Sequence, residues 1–159
     1  MINNYFSNTC TFELLNQSGM RSTLEALVLQ DNVPVLGICV GMQLLASASD
    51  EGHLSGLSWV PGKVRAFCAN EQSARMPLPH MGWNDVQPKP GSPLFAGLES
   101  DARFYFLHSY YFECDEPSHD AATASYGLDF SCAVSAGNVY GVQFHPEKSH
   151  HFGAQLLKN

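Results

Sequence analysis

The chain has 159 residues, 45% hydrophobic and 14% charged, which fits one compact domain with an ordinary core. Its net charge is −7, with eight scattered Lys and Arg, and this speaks against nucleic acid or an anionic membrane surface as a partner. No apolar run approaches the ~20 residues of a membrane span, and Met1-Ile2-Asn3-Asn4-Tyr5-Phe6 lacks the layout of a signal peptide. The five cysteines (Cys10, Cys39, Cys68, Cys114, Cys132) are odd in number and form no Cys-x-x-Cys, so reduced cytoplasmic thiols are expected rather than a disulfide or zinc framework. Of seven histidines, His150 and His151 are adjacent and His53 and His119 lie in polar stretches. With no clustered ligand set, no metal site is expected.

Residues 1–12 are rich in turn formers and read as irregular. A helical pattern starts at Glu13 and is interrupted at Ser18-Gly19. Ser22-Thr23-Leu24-Glu25 then reads as a capping box, with Met20, Leu24, Leu27 and Val28 on one helical face. That helix ends at Asp31-Asn32. The run Val33–Ile38 reads as a buried parallel strand. It leads into Gly37-Ile38-Cys39-Val40-Gly41, where two glycines allow a sharp strand-to-helix turn of the nucleophile-elbow kind. Cys39 would sit at a helix N-terminus, where backbone N–H groups favour the thiolate. The plainer alternative is a small buried cysteine between packing glycines.

The following helix is expected from Gly41 to Ala48. Gln43 lies one turn from Cys39 and can share its face, or it is simply a polar residue on a helix flank. Trp59-Val60-Pro61-Gly62 marks a turn, and Lys63 to Phe67 alternates as a half-exposed strand. In Pro79-His80-Met81-Gly82-Trp83-Asn84 the pattern by itself places Met81 and Trp83 in the core. Phe104 to Phe112 reads as one central strand. Strands are expected at Thr123–Tyr126, Ser131–Val134 and Val139–Phe144, the last two joined through Ala136-Gly137-Asn138. The last strand ends in His145-Pro146-Glu147. A thiol nucleophile needs a base, and the base needs a third group to orient it. His145 and Glu147 can supply both roles, although most His-x-Glu pairs are a strand-end histidine and a surface glutamate. Phe152, Leu156 and Leu157 mark a terminal helix packed on the sheet.

Together, Gly37-Ile38-Cys39-Val40-Gly41-Met42-Gln43 and His145-Pro146-Glu147 resemble the triad-type (class I) glutamine amidotransferases, over about residue 16 to the C-terminus. Within that family, the His80–Asn84 block, Phe106-Leu107-His108-Ser109-Tyr110-Tyr111 and Tyr140 to Ser149 resemble glutaminase subunits of imidazole glycerol phosphate synthase. The resemblance implies an α/β fold in three layers, a mostly parallel sheet with flanking helices and an antiparallel strand extension. It implies glutaminase chemistry with no cofactor: Cys39 attacks the carboxamide of L-glutamine, His145 relays the proton and Glu147 orients His145. The oxyanion would be met by the Val40 N–H and a second donor. Gly41, Gln43, Glu51, Ser109 and Tyr110 are implied contacts to the substrate. His80, Met81 and Trp83 are implied to face a (β/α)8 cyclase subunit (HisF type) that consumes the ammonia in a heterodimer.

Relatives in the family open with a βαβ unit and a glycine-rich loop. Counting back from Cys39 places that loop near Asn4-Tyr5-Phe6-Ser7, which holds no glycine, so an N-terminally truncated version of the fold is expected. Three alternatives stand beside this reading. One is an amidotransferase of the same subunit type feeding a sugar-modifying synthase. The second is an inactive, partner-binding remnant. The third, a thiol peptidase on a related fold, leaves Gln43 and the His80–Asn84 block without a purpose.

Overall fold

A computed structural model describes residues 8–52, 54–98 and 100–159; the expectations for Asn4 to Ser7 and for His53 lie outside the described residues. Residues 8–12, read as irregular, belong to helix α1 (Asn8–Gln17). Phe12 of α1 is buried. Helix α2 (Arg21–Glu25) starts after Met20, and no side chain caps it. The expected capping box does not form, because Glu25 turns back to Arg21 at 2.8 Å. A π-helical turn, Ala26–Gln30, continues the helix, closed by Asp31 N–H donating to the Ala26 carbonyl. The wider turn rotates the expected apolar face out of register. Val28 is buried, while Met20, Leu27 and Leu29 are exposed.

Strand β1 (Val35–Ile38) begins after Pro34, which has no N–H to give a ladder. The elbow helix α3 (Val40–Leu44) is shorter than expected, because Ala48–Ser49 already forms strand β2. Next come β3 (Gly62–Ala66), β4 (His80–Asp85), β5 (Gln87–Pro88) and β6 (Arg103–His108). Then follow β7 (Tyr110–Cys114), β8 (Asp120–Ser125), β9 (Asp129–Ala136) and β10 (Val139–Val142). The described chain closes with helix α4 (His150–Lys158), which buries Leu156 and half-buries Phe152 but leaves Leu157 exposed.

The main sheet runs β1-β10-β9-β7-β3-β2, with β8 beside β9 and β5 beside β8. The α/β class with a curled sheet and flanking helices matches the expectation. The balance of strand directions does not: among the described strands only β1/β10 and β2/β3 pair in parallel, and the remaining pairings are antiparallel. The reason is connection length. Parallel neighbours need a long crossover, whereas Gly137-Asn138 and Tyr126-Gly127-Leu128 close tight hairpins between β9 and β10 and between β8 and β9.

The expected single strand from Phe104 to Phe112 is split at Ser109. β6 leaves the main sheet and pairs with β4 in a separate two-stranded ribbon, while β7 stays in the main sheet between β9 and β3. A core of stacked aromatics fills the space behind the ribbon. Phe104 and Phe144 stack with ring centres 4.0 Å apart, and Phe95, Phe106 and Phe130 join them.

Candidate active site

β1 and β10 pair in parallel with Ile38 opposite Val142. Cys39 and the segment Gln143–Glu147 therefore leave the sheet at the same carboxyl end, which is where ligands of open α/β sheets bind. Cys39 N–H donates to the Val142 carbonyl at 2.8 Å, closing the seam. Cys39 itself has φ 52° and ψ −110°, a region that side chains other than glycine rarely occupy. A Cβ on Gly37 would lie 2.6 Å from the Gly41 backbone, so the absence of that side chain lets the strand and helix meet. Gly41 differs from the expectation, because a Cβ there would meet open space. Its bareness relieves no clash.

Sγ of Cys39 faces the Leu107 carbonyl of β6 at 3.9 Å and the Gln143 Nε2 at 3.7 Å. Burial pushes the Cys39 thiol above its usual value, and the Glu147 carboxylate adds to this; the Val40 N–H and Lys148 pull it down. The net direction is upward, the reverse of what a helix N-terminus alone implies. A five-residue helix contributes little dipole against the loss of water around sulfur.

His145 Nδ1 pairs with Glu147 Oε1 at 2.7 Å, so the spacing of two does join those groups. Pro146 opens the 3₁₀ turn Pro146–Lys148 that brings Glu147 back beneath the ring. His145 Nε2 is buried and, among the described residues, makes no hydrogen bond. Sγ and Nε2 are not hydrogen-bonded to one another. Such contacts are often long before substrate arrives. Two residues that the sequence reading passed over hold this turn. Ser149 Oγ donates to the His145 carbonyl at 2.6 Å and accepts the Tyr105 N–H at 3.0 Å. Gly153 of α4 packs so closely on Pro146 that a Cβ would strike its carbonyl oxygen. Ser149 closes the Tyr140 to Ser149 block but carried no role there, and Gly153 had no motif signal, since both act on the turn from behind.

Gln43 is buried and its Nε2 donates to Gln143 Oε1 at 2.7 Å and to the Tyr110 carbonyl at 3.3 Å. The expected open face is thus taken up by a neighbouring amide. Beside it lies a cavity of about 20 Å³ lined by Phe12, Gln43, Leu44, Ala48, Ser49 and Gly52, room for about one water. Glu51 follows in the same loop, its N–H donating to Ser49 Oγ at 3.1 Å. The carbonyl of Ser109 accepts Phe67 N–H at 3.2 Å, which fixes the step between β6 and β7.

On the ribbon, the expectation for His80 fails. Its side chain is buried, stacked on Phe106 and Tyr126, because it occupies an inward position of β4. Met81 and Trp83 occupy the outward positions and are 65% and 40% exposed, against the core position that the pattern alone gives them. Their cross-strand partners are Leu107 and Tyr105. Among the described residues no group of His, Cys, Asp and Glu is placed to hold a metal ion, and no helix is long and apolar enough to cross a membrane.

A thiol on a strained elbow beside a His–Glu pair, on a sheet of this order, defines a class. The family model for "Glutamine amidotransferase class-I" matches residues 16–159, and the chain belongs to that family. Among curated relatives, the imidazole glycerol phosphate synthase subunit HisH of Bdellovibrio bacteriovorus is 66% identical over 145 residues, covering 91% of this chain and 71% of the relative. The subunit of the same name from Leptospira interrogans is 50% identical over 145 residues, with the same two coverages, 91% and 71%. A solved glutamine amidotransferase superposes with a TM-score of 0.67 at 18% identity, covering 95% of this chain and 73% of that one. Another, from Thermotoga maritima, gives 0.61 at 18% identity, covering 99% and 57%. At that identity the likeness is one of fold.

Proposed function

We propose that this chain is the glutaminase subunit of an imidazole glycerol phosphate synthase. The observation that carries the chemistry is the parallel seam, which sets a thiol and an oriented imidazole at one end of neighbouring strands. Cys39 loses its proton to His145 Nε2 and attacks the side-chain carboxamide carbon of L-glutamine. The tetrahedral oxyanion is met by the Val40 N–H and a further donor. His145 returns the proton to the departing nitrogen, the C–N bond breaks and ammonia leaves. Water, deprotonated by His145, then hydrolyses the thioester to glutamate. Glu147 fixes the tautomer with its proton on Nδ1 and stabilises the imidazolium.

In this reading Gly41, Gln43, Glu51, Ser109 and Tyr110 contact the substrate, with the Glu51 carboxylate meeting its α-ammonium. Met81, Trp83 and Leu107 form the docking face for a (β/α)8 cyclase of the HisF type, and the Leu107 carbonyl touches the thiol. Ammonia released at Cys39 is thus a single strand's thickness from the partner. A reduced compartment, the cytoplasm, suits a thiol nucleophile and four further free cysteines.

The test is ammonia release from glutamine by the chain with a HisF-type cyclase and its ligand present. Release that disappears in Cys39→Ala supports the reading. Release at background in the unaltered chain overturns it.

A further inference from the structure

We propose that Gln143 is a positioning residue for the nucleophile, its side-chain amide donating to Cys39 Sγ and so holding the sulfur and favouring its negative charge. The inference deepens the glutaminase reading and rests on it for the identity of the nucleophile. Gln143 is 0% exposed and follows the last residue of β10, in register beside the elbow. Its own N–H donates to the Cys132 carbonyl at 2.8 Å, so the backbone cannot turn the side chain away.

One carbonyl settles which end of the amide faces sulfur. The Tyr110 oxygen is a pure acceptor, and it takes His108 Nδ1–H at 2.7 Å and Gln43 Nε2 at 3.3 Å. The amide nitrogen of Gln43 must therefore point there. That same nitrogen lies 2.7 Å from the Gln143 amide, which must answer with its oxygen. Nε2 of Gln143 is left facing Sγ, at 3.7 Å. Buried amide donors need acceptors, and the thiolate is the better of the two forms of sulfur for that role.

The tether extends further back. With its proton on Nδ1, neutral His108 accepts at Nε2, so His80 donates from Nδ1 at 2.9 Å. His80 Nε2 then accepts from Asn84 Nδ2 at 3.3 Å, and that amide also donates to the Ser125 carbonyl at 2.9 Å. Each group in the series Asn84, His80, His108, Tyr110, Gln43, Gln143 fixes the orientation of its neighbour. The other groups acting on the sulfur are the Leu107 carbonyl of β6 at 3.9 Å, which as an acceptor favours the thiol, and the Val40 N–H, Glu147 and Lys148, with His145 on the adjoining turn.

The experiment needs no substrate. Alkylation of Cys39 by iodoacetamide is followed against pH by peptide mass spectrometry, with exposed Cys68 as internal reference. In Gln143→Met, similar in shape but without the donor, the Cys39 profile is expected to move up by about one pH unit, or about tenfold less thiolate at a fixed pH. An unchanged profile in a variant that still melts cooperatively overturns the proposal. If that variant does not fold, the unaltered chain decides: the Gln143 side-chain amide proton resonance must move with the same midpoint as Cys39 alkylation. A resonance that stays flat through that titration overturns it. Because no glutamine is consumed, failure here leaves the ammonia-release result standing, and failure of ammonia release leaves this one standing.

Discussion

β1 and β10 lie side by side in parallel and each delivers half of the candidate site, yet they are supported very differently. β10 is largely buried and runs on into Phe144, inside the aromatic core. β1 is half-buried along its whole length, at the end of the sheet order, and in the chain leading to it Met20, Leu27, Leu29 and Val33 are exposed. The base thus stands on the firm strand and the nucleophile on the less covered one. What holds the elbow is local: the bare Gly37, the Val142 carbonyl and the Gln143 amide.

The sharpest test of β1's role in chemistry is Cys39→Ala. It is expected to lower ammonia release by about 10⁴-fold or more while leaving the melting temperature nearly unchanged. A large fall in melting temperature would mean that the thiol is a packing group. Stability should divide the other way between the strands. Phe144→Ala, next to β10, is expected to cost about 3–5 kcal/mol, and Leu36→Ala on β1 about 1–2 kcal/mol because less area returns to water. Equal costs in urea denaturation would erase the contrast.

Glu147→Gln removes the orienting charge but keeps the shape. Since that carboxylate is half-exposed and screened by solvent, turnover should fall by only about 10²-fold, read in the same ammonia assay. The smallest effect concerns pH. Burial lowers His80 to about 4 and His108 to about 3, so the unfolded chain binds protons near pH 6.5 that the folded one refuses. Stability should be full above that pH and decline as pH falls towards 4. In His80→Gln the melting temperature should depend less steeply on pH across that window; an unchanged slope would place the sensitivity elsewhere.

Part of the site was legible because its chemistry is local in sequence. Gly-x-Cys-x-Gly and His-Pro-Glu announce an elbow and an oriented base without any long-range information, and Lys63 to Phe67 alternates plainly enough to place β3. The ribbon was not legible. Ser109 breaks a continuous β-prone run, and only pairing partners decide that β6 goes to β4 while β7 joins β9. Met81 and Trp83 look like core residues because alternation says which residues share a face but not which face is wet. Gln143 lies in the Tyr140 to Ser149 block but had no role there: a glutamine between Val142 and Phe144 draws attention only once Tyr110, Gln43 and Cys39 are seen around it.

The residues by themselves marked a candidate thiol nucleophile and an oriented base, because both patterns are local, and the family resemblance of those two stretches implied the glutaminase reaction. They also determined most strands and hairpins, where period and turn residues act over a few positions. Tertiary structure alone decided strand direction and order, the inward turn of His80 and the outward turn of Met81 and Trp83. It also decided the balance of forces on the sulfur, because burial and the direction of a distant amide depend on what the folded chain brings within a few ångströms.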